Sequence, residues 1–364
     1  MIRALLVDDE APARARLRAL LEELGVVTVV GEAADADAAR AAVAATTPDV
    51  VFLDIEMPAE RGTDLAATLP EPRPFIVFAT AYERFAVEAF QYDAADYLLK
   101  PVTRQRLQAT LARMRDKVTD RRAAERELAA AVRAQAHLLP QALPQPPGYA
   151  LAARTLAARA VGGDFYDAVV AGDQVAFVLG DVAGKGMAAG LIASSVQARW
   201  QAAIQQRDLT LTGLMTALNR DVYRSTEGSR YATLVHGVLD PPCGVVRFVN
   251  AGHPPSLVVH RDGDVGAALA ANAPALGLFD GAGFSAGELR LAAGDTLLVM
   301  SDGVSEAMDG DGREFEVAAL ARLAVRFGDD VAGLAAAVID AVCAHRGRDQ
   351  RQDDVTVLAL RRRA

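Results

Sequence analysis

The sequence predicts two domains of different fold class joined by a helical linker. The first is an α/β domain with a five-stranded, doubly wound parallel sheet, because strand-like runs alternate with amphipathic helices. The second is an α+β domain, a β-sandwich flanked by helices, because strand-like runs there follow one another directly. We expect the domains at residues 1–116 and 148–364 and the linker at 117–147. A chain of 364 residues is long enough for two cores.

Composition and charge limit the possible environments of the protein. The formal net charge is −9, and no apolar run reaches the ~20 residues needed to cross a bilayer. The N-terminus begins a strand and meets acidic residues too early for a signal peptide. Cys243 and Cys343 stand alone, as reduced thiols do. We therefore expect a cytoplasmic protein with no membrane partner.

In the first domain, polar side chains follow four of the five predicted strands. The predicted strands are Arg3–Val7, Val26–Glu32, Val50–Leu53, Phe75–Ala79 and Asp96–Leu99, and the clearest helices are Ala11–Leu24 and Asp35–Ala45. The polar residues at the strand ends are Asp8, Asp9, Asp54, Thr80 and Lys100. Active sites of such folds lie at the carboxyl ends of the strands, so we expect these side chains to form one site.

Four stretches of this domain resemble the CheY-like response-regulator receiver domain. They are Leu6–Glu10, Val51–Pro58, Ala79–Ala81 and Asp96–Pro101. The resemblance implies that Asp54 is the phosphoacceptor and that Asp8 and Asp9 help to hold one Mg²⁺ ion. It also implies that Thr80 and Lys100 contact the phosphoryl group. Tyr97 would be the aromatic side chain that changes position on activation.

The residue types support this chemistry independently of the family. A carboxylate nucleophile can form an acyl phosphate, and a divalent cation can neutralise the crowded oxygens during transfer. A lysine supplies a point charge for the phosphate. The alternative is a flavodoxin-like fold whose aspartates only cap helices, and the matching positions in order disfavour it.

Between the domains, apolar residues at alternating spacings of four and three predict a helix with a short coiled-coil seam. The seam positions are Leu107, Leu111, Met114, Val118, Arg121, Glu125, Leu128, Val132, Gln135 and Leu139. Three polar residues interrupt the seam, and the prolines from Pro140 onward end the helix. Two interpretations remain open: a helix that packs on its own domains, or a parallel homodimer that transmits a signal. Residues 104–140 are basic, with 9 Lys or Arg against 4 Asp or Glu side chains. This segment lacks interleaved aromatic residues, so we expect no nucleic-acid partner.

In the second domain, the predicted strands are Asp173–Asp181, Tyr231–Leu239, Val245–Asn250, Ser256–His260, Asp295–Ser301 and Val355–Leu360. The predicted helical segments lie around Met187–Gln206 and Thr210–Thr226, and a further helical region covers Glu316–His345. Aspartates next to small residues occur at several of the predicted element ends. Small neighbours let the backbone approach a ligand closely, so these aspartates are candidates for a second carboxylate site.

Five segments of this domain resemble the metal-dependent protein phosphatase (PPM) family in its SpoIIE-like branch. They are Val161–Asp167, Gly180–Gly186, Asn250–Pro255, Ser301–Gly303 and Asp353–Val357. The resemblance implies two Mg²⁺ or Mn²⁺ ions and four catalytic carboxylates, which are Asp164, Asp181, Asp302 and Asp353. Asp181 would bridge the two ions, with the Val182 carbonyl on one of them. Asp302 and Asp353 would complete the other ion.

The resemblance gives further, less direct candidates around the second ion. Asp164 would order water there, and Asp167 and Asp354 are additional candidates for the metal site. The arginine that animal-type relatives use to grip phosphate has no obvious match before Asp164. Phosphate binding would then rest on metal and backbone.

Other signatures in this region are incomplete. Gly162–Phe165 is similar to the start of the diguanylate cyclase signature, but the rest of that pattern is absent. Gly180–Lys185 is similar to a nucleotide phosphate loop, but Gly186 stands where Ser or Thr is required. We expect His253 to shape a turn and Trp200 to pack in the core.

The favoured function is a response regulator whose output is protein serine/threonine dephosphorylation. A histidine kinase or phosphotransfer protein would phosphorylate Asp54. The resemblance implies as substrate a phosphorylated STAS-type antagonist of an anti-sigma factor. The alternative is a non-catalytic binding module, a pseudophosphatase that captures a phosphoprotein. The retained aspartates disfavour this alternative, because such proteins usually lose metal ligands.

Overall fold

The structure is a computed structural model that describes residues 1–81, 94–158, 160–205, 210–266, 269–347 and 353–364. The chain divides into two compact units, Met1–Glu127 and Leu128–Ala364. The first unit is a parallel α/β domain and the second is a two-sheet sandwich with helices, which confirms the predicted fold class.

The first unit alternates strands and helices about one parallel sheet. Its strands are β1 (Ile2–Val7), β2 (Val27–Ala33), β3 (Val50–Asp54), β4 (Phe75–Thr80) and β5 (Asp96–Leu99). Its helices are α1 (Ala11–Leu24), α2 (Ala36–Thr46), α3 (Gly62–Thr68) and α4 (Arg104–Leu138), of which α4 continues into the second unit. The sheet order is β2-β1-β3-β4-β5, and all pairings are parallel.

Local signals explain the helix limits in this unit. Asp35 caps α2 by accepting a hydrogen bond from the Ala38 N–H, and Gly25 ends α1 with φ of 68°. The strands are apolar on both faces, since the helices cover them on both sides. The carboxyl ends of β1, β3, β4 and β5 therefore meet at one edge of the sheet.

The second unit contains two sheets and several helices. Its strands are β6 (Tyr149–Leu156), β7 (Phe165–Ala171), β8 (Gln174–Val182), β9 (Ala232–Asp240), β10 (Val245–Ala251), β11 (Leu257–Val259), β12 (Val265–Gly266), β13 (Gly287–Arg290), β14 (Thr296–Met300) and β15 (Val355–Arg362). Its helices are α5 (Met187–Ile204), α6 (Leu211–Thr226), α7 (Asp302–Ser305), α8 (Val317–Phe327) and α9 (Val331–Arg346).

These elements form four layers. One sheet has the order β13-β10-β9-β8-β7 and the other β12-β11-β14-β15-β6, with every pairing antiparallel. Side chains from both sheets, such as Phe177 and Leu358, share the central core. Helices α5 and α6 cover the first sheet around Trp200, and α8 and α9 cover the second around Val338.

The structure adds detail to the predicted helices and strands of the second unit. The helical region predicted at Glu316–His345 contains two helices, because Gly328 takes φ of 53° and the Asp330 side chain caps a new helix. Strands β6 and β7 carry apolar residues without strict alternation and were not predicted. The short edge strands β12 and β13 were also not predicted.

The residues of the predicted coiled-coil seam lie in different environments along helix α4. Leu107, Leu111, Met114 and Val118 are buried in the core of the first unit. Arg121 pairs with Asp49 at 3.6 Å, which accounts for the first interruption of the seam. Leu128 remains 39% exposed, so this part of the helix is where the coiled-coil prediction still applies.

Across the described ranges, no helix is both long enough and apolar enough to cross a bilayer.

Candidate functional site

Three carboxylates gather at the carboxyl edge of the parallel sheet. Ligand oxygens of Asp8, Asp9 and Asp54 all lie within 4.8 Å of one another. The Lys100 ammonium lies 2.6 Å from Asp8 Oδ2 and 2.7 Å from Asp54 Oδ2. Such a set of hard oxygen ligands suits Mg²⁺, and it places the predicted residues together as expected.

Burial sets the electrostatics of this edge. It raises the pKa of Asp54, against the opposing hydrogen bond from Lys100. Burial alone would lower the pKa of Lys100, but its hydrogen bonds to Asp54 and Asp8 raise it overall. Lys100 therefore stays a cation beside the carboxylate that would receive a phosphoryl group.

The other predicted residues lie on the neighbouring strands. Thr80 is buried at the end of β4, where its carbonyl accepts a hydrogen bond from the Lys100 N–H at 2.8 Å. Tyr97 lies on β5 and packs partly against the core. The roles of Thr80 and Tyr97 stay predictions.

In the second unit, four aspartates come from four separate chain segments. Asp181 lies near the end of β8, and Asp164 directly precedes β7. Asp302 begins α7, and Asp353 lies two residues before β15. Strand pairing in the first sheet places Phe165 opposite Gly180, so the segments carrying Asp164 and Asp181 are adjacent.

These aspartates perturb one another. Burial first, and then the charges of Asp302 and Asp353, raise the pKa of Asp181 to about 7. Burial and the charge of Asp181 raise the pKa of Asp164 well above its usual range. Burial and Asp353 also raise the pKa of Asp302. Such mutual repulsion opposes full ionisation unless cations compensate the charge.

Two further observations test whether divalent cations fit these residues. Asp164 Oδ1 is buried and has no hydrogen-bond partner, so it is an open ligand atom. A Cβ on Gly163 would lie 2.8 Å from the Val182 carbonyl oxygen and 3.0 Å from Asp181 Oδ1. Glycine is thus required where these two oxygens face the neighbouring loop. The residues fit a carboxylate-bound cation site.

The spacing of this site differs from that of the receiver site. No three described carboxylates in the second unit bring ligand oxygens within 4.8 Å of one another. Two ions about 3.5–4 Å apart would distribute the ligands over a wider region than one ion does. The number of ions at this site stays a prediction.

Asp167 is hydrogen-bonded to α5 and to the backbone that follows it. Its side chain accepts hydrogen bonds from Gln197 and Gln201 of α5 and from the Ala168 N–H. The residue is 2% exposed. These contacts anchor Asp167 beneath α5, and its metal role stays a prediction.

Asp354 is also used as an anchor. Its Oδ1 accepts a hydrogen bond from the Ala158 N–H at 2.7 Å. Its Oδ2 accepts from the N–H groups of Gly163 at 2.7 Å and Asp164 at 3.3 Å. Both oxygens are therefore occupied by backbone donors, and the carboxylate fixes the loop that carries Asp164.

Arg346, at the end of α9, is another residue that holds the loops of the site in place, and it was not predicted from the sequence. Its guanidinium donates to the carbonyls of Asp353, at 3.0 Å, and Gly303. It thereby ties together the two loops that carry Asp302 and Asp353. No local sequence pattern indicated this role, because the contacts span up to 43 residues.

Two positively charged side chains, Lys185 and Arg230, lie against the loop that follows Asp181. Lys185 Nζ lies 3.3 Å from Asp353 Oδ2, and Arg230 Nη1 donates to the Ala183 carbonyl at 3.1 Å. A Cβ on Gly184 would lie 2.2 Å from Arg230 Nη1, so the close approach of Arg230 needs glycine. The sequence contained Lys185 within a motif, but Arg230 carried no signal.

Gln135 explains another interruption of the predicted seam. Its Nε2 donates to the Gly162 carbonyl at 2.8 Å, and its Oε1 accepts from the Gly162 N–H at 3.2 Å. The last turns of α4 are thus paired with the loop that leads to Asp164. A polar residue in an apolar seam was the signal that could have indicated this contact.

His253 joins the two sheets next to the site. Its Nε2 donates to the Met300 carbonyl at 2.9 Å, and its Nδ1 accepts from the Thr233 hydroxyl at 2.8 Å. The Asn250 side chain bonds both its N–H and its carbonyl, which is the expected turn. Burial lowers the pKa of His253 to about 4, so the ring is neutral.

Comparisons with known families identify a family for each of the two units. The family described as Stage II sporulation protein E (SpoIIE) matches residues 171–363, and the response regulator receiver domain matches residues 4–112. The chain is similar to transcriptional regulatory protein BtsR of Escherichia coli, with 48% identity over 116 residues. This match covers 32% of the chain and 48% of that protein, so the chain spans about half the length of the curated relatives it matches.

Solved structures show the same fold for the second unit. The RsbU and RsbW domains of Rv1364c from Mycobacterium tuberculosis match with a TM-score of 0.54 and 30% identity, over 62% of this chain and 63% of that one. The SiaA-PP2C domain of Pseudomonas aeruginosa matches with a TM-score of 0.56 and 19% identity, over 66% and 98%. The chain therefore belongs to the SpoIIE family, with a response-regulator receiver domain in its N-terminal unit.

Proposed function

We propose that this protein is a response regulator whose second unit is a metal-dependent serine/threonine protein phosphatase. The observation that carries the proposal is the raised pKa of Asp164, Asp181 and Asp302, which burial causes first and the charges of neighbouring aspartates increase. Perturbed carboxylates of this kind are typical of metal and catalytic sites.

Two divalent cations bound there would supply a water of lowered pKa and neutralise charge on the phosphoryl group. Asp181, the Val182 carbonyl, Asp302 and Asp353 would hold them, and Asp164 would orient water through its open Oδ1. Thr356 donates a hydrogen bond to Asp164 Oδ2, which fixes the orientation of this carboxylate. Asp354 and Arg346 would keep the ligand loops in place.

Lys185 and Arg230 would grip the phosphate of the substrate. Both lie on or against the loop after Asp181, and the Lys185 side chain is 39% exposed. A partly exposed ammonium beside the carboxylates can reach a phosphate that approaches from solvent. Two side chains would thus bind the phosphate, whereas from the sequence we expected phosphate binding by metal and backbone alone.

Phosphorylation of Asp54 by a histidine kinase or phosphotransfer protein would control the phosphatase. The receiver would hold one Mg²⁺ through Asp8, Asp9 and Asp54. The signal would pass along α4 to Gln135, whose amide pairs with Gly162 beside Asp164. The proposed substrate is a phosphorylated STAS-type antagonist of an anti-sigma factor, as the family resemblance implies.

Hydrolysis of p-nitrophenyl phosphate and of a phosphoserine peptide in the presence of Mn²⁺ tests the enzyme proposal. The wild-type chain should turn over both, Asp181→Ala should turn over neither, and the exposed Asp340→Ala should behave as wild type. The proposal would be contradicted if the wild-type chain showed no turnover, or if Asp181→Ala retained it. Binding of the phosphopeptide without turnover would favour the pseudophosphatase.

A parallel homodimer through α4 is part of the proposal. Leu128 is 39% exposed and Val132 is half-buried one turn later, so the two can form an apolar contact between copies. Leu128→Lys with Val132→Lys should lower the mass measured by light scattering. Ala130→Lys with Ala134→Lys, at the same spacing on exposed positions off the seam, is the matched control. Equal masses for both variants would reject the dimer.

A further inference from the structure

Two threonines take the place of apolar side chains at one end of the core between the two sheets. On β15, Leu358 and Leu360 face this core, and strand alternation places Thr356 on the same face. Strand pairing puts Thr155 of β6 directly opposite Thr356. Thr356 is fully buried, and a buried hydroxyl costs free energy unless it forms hydrogen bonds. The partners of the two hydroxyls therefore indicate why they lie there.

The two hydroxyls form a chain that ends on Asp164. Thr155 Oγ1 and Thr356 Oγ1 lie 2.7 Å apart, and Thr356 Oγ1 in turn contacts Asp164 Oδ2. An ionised carboxylate only accepts hydrogen bonds, so the Thr356 proton points to Asp164. Because each hydroxyl carries a single proton, the contact between the two threonines uses the proton of Thr155. Thr155 thus donates to Thr356, and Thr356 donates to Asp164.

The backbone of Thr356 is held in place beside the loop that carries Asp302. Its N–H donates to Ser301 Oγ at 2.9 Å, and its carbonyl accepts from the Ser301 N–H at 3.0 Å. With its backbone fixed on both sides, the Thr356 hydroxyl can hold Asp164 Oδ2 in one orientation. The other oxygen of this carboxylate, Oδ1, is buried and has no hydrogen-bond partner among the described residues. The two oxygens of Asp164 therefore differ: the hydroxyl chain occupies Oδ2 and leaves Oδ1 open.

We propose that Thr155 is a positioning residue of the phosphatase site and that it acts through Thr356. The hydroxyl chain holds Oδ2 of Asp164, so that Oδ1 stays free for water or a cation. Hydrogen bonds in a chain polarise one another, so the Thr155 donor strengthens the bond from Thr356 to Asp164. Side chains that orient the groups around a metal ion contribute to its binding and to activity. The inference rests on the proposed function, because that function places Asp164 in the metal site.

Calorimetric titration of the full chain with Mn²⁺ measures ion binding without turnover. Thr356→Val removes the hydroxyl at nearly constant side-chain volume and should weaken Mn²⁺ binding at least about tenfold. Thr356→Ser keeps the hydroxyl and should bind within about twofold of the wild type. Thr155→Val should weaken binding about threefold, a smaller change because it acts through Thr356. The receiver site is the same in every variant, so the differences belong to the second unit.

Thr296→Val is the matched control. Thr296 is also a buried threonine of this sheet, and its hydroxyl accepts a hydrogen bond from Arg361 at 2.9 Å. It begins β14, whereas Asp302 follows the other end of that strand. The control loses a buried hydroxyl away from the aspartates, so it should bind Mn²⁺ and turn over substrate as the wild type does. Urea unfolding of each variant shows that it is folded.

Hydrolysis of a phosphoserine peptide gives the second measure. Thr356→Val should lower kcat about tenfold or more and leave KM within about twofold, because the chain orients a group of the reacting centre and does not hold the peptide. Thr356→Ser should recover most of kcat, which a role in packing alone does not predict. The inference is overturned if Thr356→Val binds Mn²⁺ as the wild type does, if Thr356→Ser binds no more tightly than Thr356→Val, or if Thr155→Val equals the wild type in both measures. The expected order of Mn²⁺ affinities in a chain without turnover would remove the phosphatase proposal and retain the positioning role.

Discussion

Replacement of Asp354 separates an anchoring role from a metal-ligand role. Three backbone N–H groups share its carboxylate, two of them at 2.7 Å and one at 3.3 Å. Asp354→Ala removes all three bonds and leaves buried donors without an acceptor. Hydrogen bonds to a charged group contribute about 1.5–3 kcal/mol each, so the two short ones predict a loss of about 3–6 kcal/mol. Asp354→Asn keeps one acceptor oxygen for Gly163 and Asp164, so we expect a loss of about 2 kcal/mol.

Urea unfolding followed by the fluorescence of Trp200 measures this loss in the second unit. Titration of phosphatase activity with Mn²⁺ measures the effect on the metal site. Residues that orient metal ligands typically change metal affinity by about 10–100-fold, which we expect for Asp354→Ala. Asp354→Asn should remain close to wild type in Mn²⁺ dependence, whereas Asp353→Asn should not. If Asp354→Asn raises the Mn²⁺ requirement as much as Asp353→Asn, Asp354 binds metal and the anchoring role is wrong.

Three further predictions concern both units. Asp54→Asn should abolish labelling by acetyl phosphate, and persistent label on that variant would identify another acceptor. Lys185→Met should raise KM for a phosphopeptide about tenfold or more, with Lys185→Arg intermediate, because the phosphate loses a cationic partner; an unchanged KM would remove Lys185 from substrate binding. Because burial lowers the pKa of His253 to about 4, below its unfolded value near 6.5, the unfolded state gains a proton first as pH falls. The free energy of unfolding should therefore fall between pH 6.5 and 4 by about 3 kcal/mol from this group, and His253→Gln should flatten that part of the urea-unfolding profile; equal slopes for both proteins would refute the assignment.

The sequence predicted the receiver site closely because the relevant signals are local. Each βα unit has its own periodicity, and a parallel sheet brings the carboxyl ends of its strands to one edge. Asp8, Asp54 and Lys100 follow directly from strand ends, so their meeting at 2.6–2.7 Å needed only the predicted topology.

The second site was predicted less completely, because its supports depend on distant chain segments. Asp167 and Asp354 stand next to residues of the expected motifs and look alike in sequence. Their carboxylates nevertheless contact α5 in one case and the Ala158 and Gly163 backbone in the other. Partners of a carboxylate are set by packing between layers, which sequence spacing does not report.

Helix α4 shows the same limit. Its heptad spacing predicted a continuous helix correctly, since periodicity depends on neighbours three and four residues apart. The spacing could not say that Leu107 and Met114 belong to the core of the first unit. It also could not say that Gln135 pairs with Gly162.

The sequence by itself determined the two fold classes, the strand ends that carry the aspartates and the family to which the chain belongs. Tertiary structure alone decided which carboxylates remain open to a ligand and which are occupied by backbone donors. It also decided where Arg346, Arg230 and Thr155 lie. The reason is physical: local conformation follows from residues a few positions apart, whereas hydrogen-bond partners and burial are fixed only when distant segments pack together.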